Sequence, residues 1–455
     1  MPISLLIVGH ANTGKTSLIR TMIRDHGFGD IQNYSGTTRH VEKIALTLNQ
    51  APVLDLIDTP GFEDSIGLWM TRSAPSYKTL TPDQWLTNVT QDAALQADFD
   101  QEFKILNQLK QCDIILYVID LRQAPLGKYL DELSILACAN KPIVPILNFC
   151  DAEHNHEQAW RQCLAERQLH AHVRYDTVAF YLADERKLYQ TLQSLAPDHY
   201  NTLQALMKQR EQDAEQRLQS AQDALARMLV HCATSQYICQ AQTPTNKETQ
   251  QFENSIRQQE QAFIAQCLTL YDFRDQDVAL NDLALQEGQW QQDLFDADTL
   301  KSWGINTGTS AVTGAAIGAG IDILSAGLTL GTATTLGAIL GAGVQTGRSF
   351  KTTLLNKLRK RSVLALTPNS LMALMWRGCQ LISHLHHRGH AAQQAYRGEA
   401  ETIVNTKEVA RLEKLFRRLL QRTEWHQQQP LPNHPLITEL QQEIEHAIPN
   451  DAKAD

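Results

Sequence analysis

The sequence predicts an α/β domain, with a mostly parallel sheet and flanking helices, followed by an all-α region containing a glycine-rich helical hairpin. Two observations predict the first part. Short apolar runs alternate with helical stretches up to about residue 195, and a glycine-rich loop joins the first run to the first helix. The second part is predicted because apolar residues recur at helical spacing beyond residue 196, on a glutamine- and charge-rich background.

The predicted strands of the α/β domain are short apolar runs separated by helical stretches, the usual order in a parallel sheet. They are Ser4–Val8, Lys43–Leu48, Val53–Ile57, Ile114–Ile119 and Ile143–Leu147. We therefore expect one domain over residues 1–195.

Changes in composition predict three further regions. Residues 196–302 read as amphipathic helices, 303–347 as a hydrophobic helical hairpin, and 348–455 as a basic stretch followed by helices. Within the hairpin, G-x-x-x-G spacings such as 314/318 and 337/341 would form a glycine zipper, in which two helices pack backbone to backbone.

The glycine-rich segment 304–347 leaves two interpretations open. Residues 323–341 are uncharged and approach the length of about 20 apolar residues that spans a bilayer. The basic stretch that follows would suit anionic headgroups. However, Gly, Ala and Thr are only weakly apolar and Asp322 interrupts the first half, so a close-packed hairpin inside a water-soluble helical domain fits equally well.

Composition excludes several classes of protein. A net charge of −9 argues against a general nucleic-acid binder, and 43% hydrophobic with 20% charged residues indicates a folded chain. The 8 cysteines form no C-x-x-C pair, which favours reduced thiols in a cytoplasmic protein over a zinc site. The first residues lack the pattern of a secretory signal.

Residues 9–16, GHANTGKT, have the spacing of a phosphate-binding loop between a strand and a helix. Its two glycines allow a tight turn that aims N–H groups at phosphate oxygens. Lys15 would contribute a positive charge to the β and γ phosphates, and Thr16 a hydroxyl to Mg²⁺. The predicted phosphate-binding residues are Gly9, Asn12, Thr13, Gly14, Lys15, Thr16 and Ser17.

Two further elements follow in the order that a nucleotide switch requires. In YSGTTRH, the hydroxyl of Thr38 can join the metal only while the γ phosphate is present. In VLDLIDTPGF, Asp58 ends a strand, where its carboxylate can hold the Mg²⁺ shell through water, and the N–H of Gly61 can contact a γ phosphate.

Together, GHANTGKTSL, SGTTR, DTPGF and DIILYVIDLR resemble the Era/TrmE-type branch of translation-factor-related P-loop GTPases, over roughly residues 1–180. The resemblance implies that Lys15 and Thr16 bind phosphate and Mg²⁺, that Thr38 is the switch I threonine, and that Asp58 and Gly61 belong to switch II. The helical remainder resembles the C-terminal regions of a bacterial branch of these GTPases, which implies no particular activity.

The base is read in this family by N-K-x-D, and here Asn148-Phe149-Cys150-Asp151 follows a predicted strand. Asp151 can accept from N1–H and the exocyclic amine of guanine, which adenine cannot match. The side chain of Asn148 suits a contact with the N7/O6 edge of guanine, and it also suits hydrogen bonds that hold neighbouring loops together. An aromatic ring at Phe149 could share the lysine's place against base and sugar by stacking. We expect GTP to be preferred over ATP. The alternative is that residues 148–151 form an ordinary loop after a buried strand, with no role in binding the base.

The hydrolytic machinery departs from that of Ras-like proteins, which carry a water-orienting glutamine where this chain has Phe62. The resemblance implies that Asn12 helps to hold K⁺ beside the β and γ phosphates, where it stabilises developing charge. Catalytic roles are thus predicted for Lys15, Thr38, Gly61 and, through K⁺, Asn12. The unusually long segment 62–111 is either a partner surface or an extra helix packed on the domain.

The sequence therefore predicts a GTP-binding protein that hydrolyses GTP to GDP and phosphate with Mg²⁺ and switches a helical effector region. Turnover is expected to be slow, or activated by K⁺ or a partner. Two alternatives stay open: a nucleotide-sensing scaffold with negligible turnover, and a dynamin-like membrane-associated GTPase. We expect a cytoplasmic protein, with peripheral or anchored attachment at the inner face of the membrane as the open variant. The partner hypotheses are an unidentified protein effector, a membrane contact through 304–347 and a homodimer; no specific nucleic acid is predicted.

Overall fold

The structure is a computed structural model, and the chain divides into two compact units. They comprise mainly Met1–Glu215 and Gln216–His386 with Arg397–Asn450. The domain boundaries expected at 195, 302 and 347 stay predictions. The structure describes residues 2–23, 41–48, 50–150, 152, 154–177, 182–271, 285–286, 289–290, 293–295, 321–324, 361–387, 406–426 and 434–448.

The first unit is built around a six-stranded sheet. Its strands are β1 (Ile3–Val8), β2 (Glu42–Leu48), β3 (Ala51–Asp58), β4 (Ile114–Asp120), β5 (Ile143–Asn148) and β6 (Val173–Arg174). They lie in the order β2-β3-β1-β4-β5-β6, with β2 antiparallel to β3 and every other pair parallel. Each strand predicted from an apolar run is present, so the α/β fold with a mostly parallel sheet is confirmed.

Helices cover both faces of this sheet. They are α1 (Lys15–Ile23), α2 (Ser65–Met70), α3 (Pro82–Val89), α4 (Ala93–Asp98), α5 (Asp100–Leu109), α6 (Gly127–Ala137), α7 (Glu157–Glu166) and α8 (Leu182–Leu195). Because successive strand residues point to opposite faces, Leu6 packs in one apolar cluster with Trp85, and Leu5 in another with Leu18. The loops described below follow the carboxyl ends of the parallel strands β1, β3, β4 and β5, which lie at one edge of the sheet.

The long segment 62–111 forms helices α2 to α5 rather than an open loop. Thr81 and Gln84 make a capping box at the start of α3, and Pro82 occupies its first turn. Trp85 of this helix is fully buried. The burial supports the interpretation of an extra helical layer packed on the domain.

The second unit is mostly helical, as predicted. Its helices are α9 (Tyr200–Thr234), which begins in the first unit, α10 (Asn246–Leu270), α11 (Pro368–His387), α12 (Thr406–Leu420) and α13 (Pro435–Ala447). The expectation of an all-α region is wrong in one respect, because short strands are also present: β7 (Tyr237–Ile238), β8 (Leu285–Gln286), β9 (Gln289–Trp290), β10 (Ile321–Leu324) and β11 (Val363–Leu366). Three of them form an antiparallel sheet in the order β10-β11-β7.

The glycine-rich segment departs from its prediction wherever it is described. Ile321–Leu324 forms a strand paired with Val363–Leu366, so the helical hairpin is wrong for these residues. Their backbone groups find partners in an apolar strand distant in the sequence, and isoleucine suits a pleated surface. The remainder of 304–347, with its glycine zipper, lies outside the described residues. Among the helices that are described, none has both the length and the apolar character needed to cross a membrane.

Candidate nucleotide-binding site

The glycine-rich loop connects β1 to α1, and its backbone takes conformations that the sequence anticipates. Gly14 has a φ of +94°, and a Cβ there would overlap Nδ2 of Asn148. Asn12 has a φ of +63°, which asparagine tolerates better than most residues. The carbonyl of Gly14 accepts from the amide of Leu18 at 2.8 Å as α1 begins. Ser17 lies in the first turn of that helix.

The ammonium group of Lys15 is folded into the loop. Its Nζ donates to the carbonyls of Gly9 at 3.2 Å and His10 at 2.8 Å. Burial lowers the pKa of Lys15 to about 8, while the carboxylates of Asp58 and Glu132 act in the opposite direction. A buried cation held by neutral carbonyls would gain from a phosphate oxygen, since hydrogen bonds between charged partners are stronger.

Asp58 and Thr16, both predicted from the sequence as Mg²⁺-binding residues, lie in contact. The hydroxyl of Thr16 donates to Oδ2 of Asp58 at 2.6 Å. Burial raises the pKa of Asp58 to about 6, against the lowering effect of this hydrogen bond and of Lys15. Its Oδ1 is buried and has no hydrogen-bond partner within the described part of the chain. Hydroxyl and carboxylate oxygens are the ligands that Mg²⁺ prefers, so these residues fit the ion.

The loop after Asp58 is docked on the phosphate loop. The amide of Phe62 donates to the carbonyl of Gly9 at 3.3 Å. A Cβ on Gly61 would lie 2.6 Å from Cα of Ala11, so the two backbones are in close approach. Phe62 is fully buried in the apolar cluster that contains Leu6 and Trp85. Its side chain therefore serves the core, in agreement with the expectation that it does not orient water.

A buried carboxylate holds the next part of this loop. Oε1 of Glu102, in α5, accepts from the amides of Glu63 at 2.7 Å and Asp64 at 2.8 Å. Glu102 was not predicted from the sequence, because one acidic residue in a helix has no motif around it. The only signal was its neighbour Phe103, which marks the buried face of α5.

Asn148 joins three loops. Its Nδ2 donates to the carbonyl of Thr13 at 2.9 Å, while its Oδ1 accepts from the amides of Phe149 and Thr177, both at 3.0 Å. The side chain is fully buried. The geometry matches the predicted tying of loops, whereas a contact between Asn148 and the guanine edge stays a prediction.

The loop after β6 contributes residues that the sequence did not assign. Oδ2 of Asp176 accepts from the amide of Cys150 at 2.6 Å, and the hydroxyl of Thr177 donates to Asn148 at 3.1 Å. Both residues are buried. Their roles depend on pairing between loops far apart in the sequence, which no local pattern indicates.

A polar network lies beneath the phosphate loop. Nδ1 of His10 lies 2.8 Å from Oε1 of Glu132, and its Nε2 lies 2.9 Å from Nζ of Lys128. The hydroxyl of Tyr117 donates to the other oxygen of Glu132 at 2.8 Å. Glu132 is fully buried, so its charge is held by these partners. The network anchors His10, whose carbonyl receives Lys15.

Two predicted site residues cannot be located. Thr38 and Asp151 lie outside the described residues. The structure thus brings together the phosphate loop, Asp58, Gly61 and Asn148, and leaves the switch I threonine and the base-reading carboxylate as predictions.

Two family models match the chain. Residues 161–448 match a family described as a domain of unknown function, DUF3482. Residues 4–149 match the 50S ribosome-binding GTPase family.

Two bacterial relatives each match about a third of the chain. GTPase Der of Helicobacter hepaticus is 25% identical over 168 residues, which cover 37% of this chain and 28% of Der. GTPase Der of Campylobacter jejuni is 27% identical over 157 residues, covering 34% of this chain and 27% of Der. The chain therefore spans less than a third of the length of these relatives.

Solved structures of Era show a distant similarity. Era in complex with MgGDPNP and a segment of 16S ribosomal RNA has a TM-score of 0.31 and 19% identity, covering 42% of this chain and 56% of Era. Era of Aquifex aeolicus bound to GDP and AlF₄⁻ gives a TM-score of 0.30 with the same identity and coverage.

Proposed function

Since the chain belongs to the DUF3482 family and its N-terminal unit is a P-loop GTPase domain similar to Era and Der, we propose that it binds GTP and hydrolyses it with Mg²⁺. We further propose that the bound nucleotide changes the conformation of the loops around Thr38 and Gly61. The helical region would read that change.

The observation that carries the proposal is the contact between Thr16, in the phosphate loop, and Asp58, at the end of β3. Two elements 42 positions apart in the chain meet at 2.6 Å, with Lys15 buried beside them. Burial raises the pKa of Asp58 and lowers that of Lys15 by more than their mutual attraction offsets, so each group would gain from an additional counter-charge. Phosphates and a divalent cation would supply both.

The chain's own residues would act on the nucleotide in the following way. Lys15 would exchange the carbonyls of Gly9 and His10 for oxygens of the β and γ phosphates. Thr16 would hold Mg²⁺ directly and Asp58 through water; when bound, the ion neutralises charge on the phosphates. The amide of Gly61 would donate to the γ phosphate.

Guanine selectivity is proposed for the loop that Asn148 organises. Its hydrogen bonds fix the backbone of Phe149 and of the loop at Thr177. Asp151 would then accept from two N–H groups of guanine. A preference for GTP over ATP follows, because adenine presents no such pair of donors at that edge.

Turnover is proposed to be slow without an activator. Phe62 is buried and cannot orient water, so electrostatic stabilisation must come from another group. Asn12, at the exposed corner of the loop, would help to hold K⁺ in that role. The scaffold with negligible turnover is the rival, and the buried Phe62 is the observation that favours it.

Phosphate release under single-turnover conditions tests the proposal. The full chain is used in excess over GTP, and its rate of phosphate release is compared in KCl and in NaCl. The variants Lys15→Ala and Asn12→Ala are measured in the same way. As a matched control, Lys104→Ala removes a lysine that pairs with Asp100 on α5.

We expect hydrolysis above the rate of free GTP, faster in KCl than in NaCl, and unchanged in Lys104→Ala. In Lys15→Ala the hydrolysis rate should fall by about 100-fold or more, as is usual when one group that stabilises the transition state is removed. Asn12→Ala should lose the difference between the salts. A wild-type rate no better than free GTP would establish the scaffold instead.

A further inference from the structure

Phe149 is the clearest departure of this chain from the motif that it resembles. The N-K-x-D pattern places a lysine after the asparagine, and Phe149 provides an aromatic face without a charge. Phe149 has a φ of +59°, a conformation that is rare outside glycine and asparagine. Its amide is held by Asn148 at 3.0 Å. The site therefore holds Phe149 in an unfavourable backbone conformation.

A positive charge reaches this ring from the neighbouring strand. β4 and β5 run parallel with Asp120 opposite Asn148, so the loops that follow them leave the sheet side by side. Arg122, two residues after Asp120, lies with its guanidinium carbon 3.7 Å from the ring centroid of Phe149. This distance is that of a stacked cation–π contact.

Asp120 fixes the orientation of this guanidinium. Nε and Nη2 of Arg122 donate to the two carboxylate oxygens of Asp120, each at 2.9 Å. The backbone amide of Arg122 donates to the same carboxylate, also at 2.9 Å. A two-pronged pair of this kind holds the planar cation in one orientation. A solvated surface arginine does not require three hydrogen bonds to one carboxylate, as Arg122 makes to Asp120.

The stacked pair lies beside the phosphate loop. Cζ of Phe149 is 3.7 Å from the position that a Cβ on Gly14 would take. Phe149 is half-buried and Arg122 is partly exposed. The guanidinium covers one face of the ring, so a ligand held at the loop would have to stack on the other face.

We propose that Arg122 and Phe149 together form the platform for the base and sugar of the bound purine nucleotide. Arg122 supplies, from the β4 loop, the positive charge that a lysine at position 149 would supply. This inference rests on the proposed function and names a nucleotide-binding residue, Arg122, to which the resemblance assigns no role. The ring provides the stacking surface, and the guanidinium provides the positive charge.

The test is a double-mutant cycle on the full chain. The dissociation constants of GDP and of inorganic pyrophosphate are measured by calorimetry for wild type, Arg122→Ala, Phe149→Lys and the double variant. Arg161→Ala is the matched control, because Arg161 is also partly exposed and pairs with a carboxylate, Glu157, on α7. Circular dichroism and melting curves check that each variant is folded.

We expect Arg122→Ala to weaken GDP binding by about 3- to 30-fold, the range of a cation–π contact. The affinity for pyrophosphate should not change. Phe149→Lys alone should also weaken GDP binding, because it places a second cation beside Arg122 and removes the aromatic ring. The double variant restores the lysine without the second cation, so it should bind GDP more tightly than either single variant. Arg161→Ala should match wild type.

Three results would overturn the inference. They are an unchanged GDP affinity in Arg122→Ala, an equal loss for GDP and pyrophosphate, and a double variant weaker than both singles. In each case wild type still binds GDP, so the proposed function survives. If wild type binds no guanine nucleotide, the proposed function fails first and the platform fails with it. Arg122→Lys, which keeps the charge but not the planar fork, should fall between wild type and Arg122→Ala.

Discussion

The replacement of Asn148 by alanine tests the organisation of the candidate site most sharply. Asn148 is fully buried, and its amide satisfies three backbone groups: the carbonyl of Thr13 and the amides of Phe149 and Thr177. Alanine fills less space and offers no polar atom. Three buried groups would therefore lose their partners together, and the loops that they belong to would separate from one another.

The size of the effect follows from these contacts. A net contribution of about 1 kcal/mol for each backbone group gives a loss of about 3 kcal/mol for the closed arrangement of the loops. Since each 1.4 kcal/mol corresponds to a factor of ten, opening should become more frequent by about 100-fold. GDP affinity should fall as well, because the phosphate loop is one of the three loops released.

Hydrogen exchange followed by mass spectrometry measures this directly. Peptides covering 146–150 and 173–177 should exchange about 100-fold faster in Asn148→Ala, while peptides from α10 should not change. Asn88→Ala is the matched control, because Asn88 is exposed and donates only to the carbonyl of Gln84 on its own helix. Unchanged protection at Phe149 and Thr177 in the Asn148 variant would refute the idea that this side chain ties the loops.

Three further predictions concern the loop after Asp58. Gly61→Ala should retain GDP binding but lose hydrolysis, since its Cβ would lie 2.6 Å from Cα of Ala11; normal phosphate release would contradict the close docking. Glu102→Ala should speed hydrogen exchange at the two amides after Phe62, with Glu102→Gln closer to wild type; equal protection in all three proteins would remove Glu102 from that role. Phe62→Gln should not accelerate hydrolysis and should cost about 2–4 kcal/mol of stability by burying an amide; a faster and equally stable enzyme would show that the side chain can reach the phosphates.

The sequence was a good guide wherever one residue's role follows from its local neighbours. The strands of the first sheet were readable because the runs from Leu5 to Val8 and Ile114 to Ile119 are continuously apolar and buried on both faces. The phosphate loop was readable because its glycines, lysine and threonine must stand at fixed spacing to surround a phosphate. Thr16 and Asp58 were each predicted from their motifs to serve Mg²⁺, and they lie 2.6 Å apart.

Features that depend on contacts between distant segments were not readable. Glu102, Thr177 and Arg122 each bind a loop that is more than 25 residues away, and nothing beside them in the chain indicates this. Ile321–Leu324 sits among residues with helical glycine spacing, yet pairs as a strand with β11. Pairing between segments overrides local pattern in such cases.

The most direct test of the central claim is calorimetric titration of the full chain with GTP and ATP in the presence of Mg²⁺. The account predicts one site per chain on the N-terminal unit that binds GTP at least about 100-fold more tightly than ATP, a difference of about 2.8 kcal/mol. The same site should be lost in Lys15→Ala. Equal affinity for the two nucleotides, or no heat of binding with either, would contradict it.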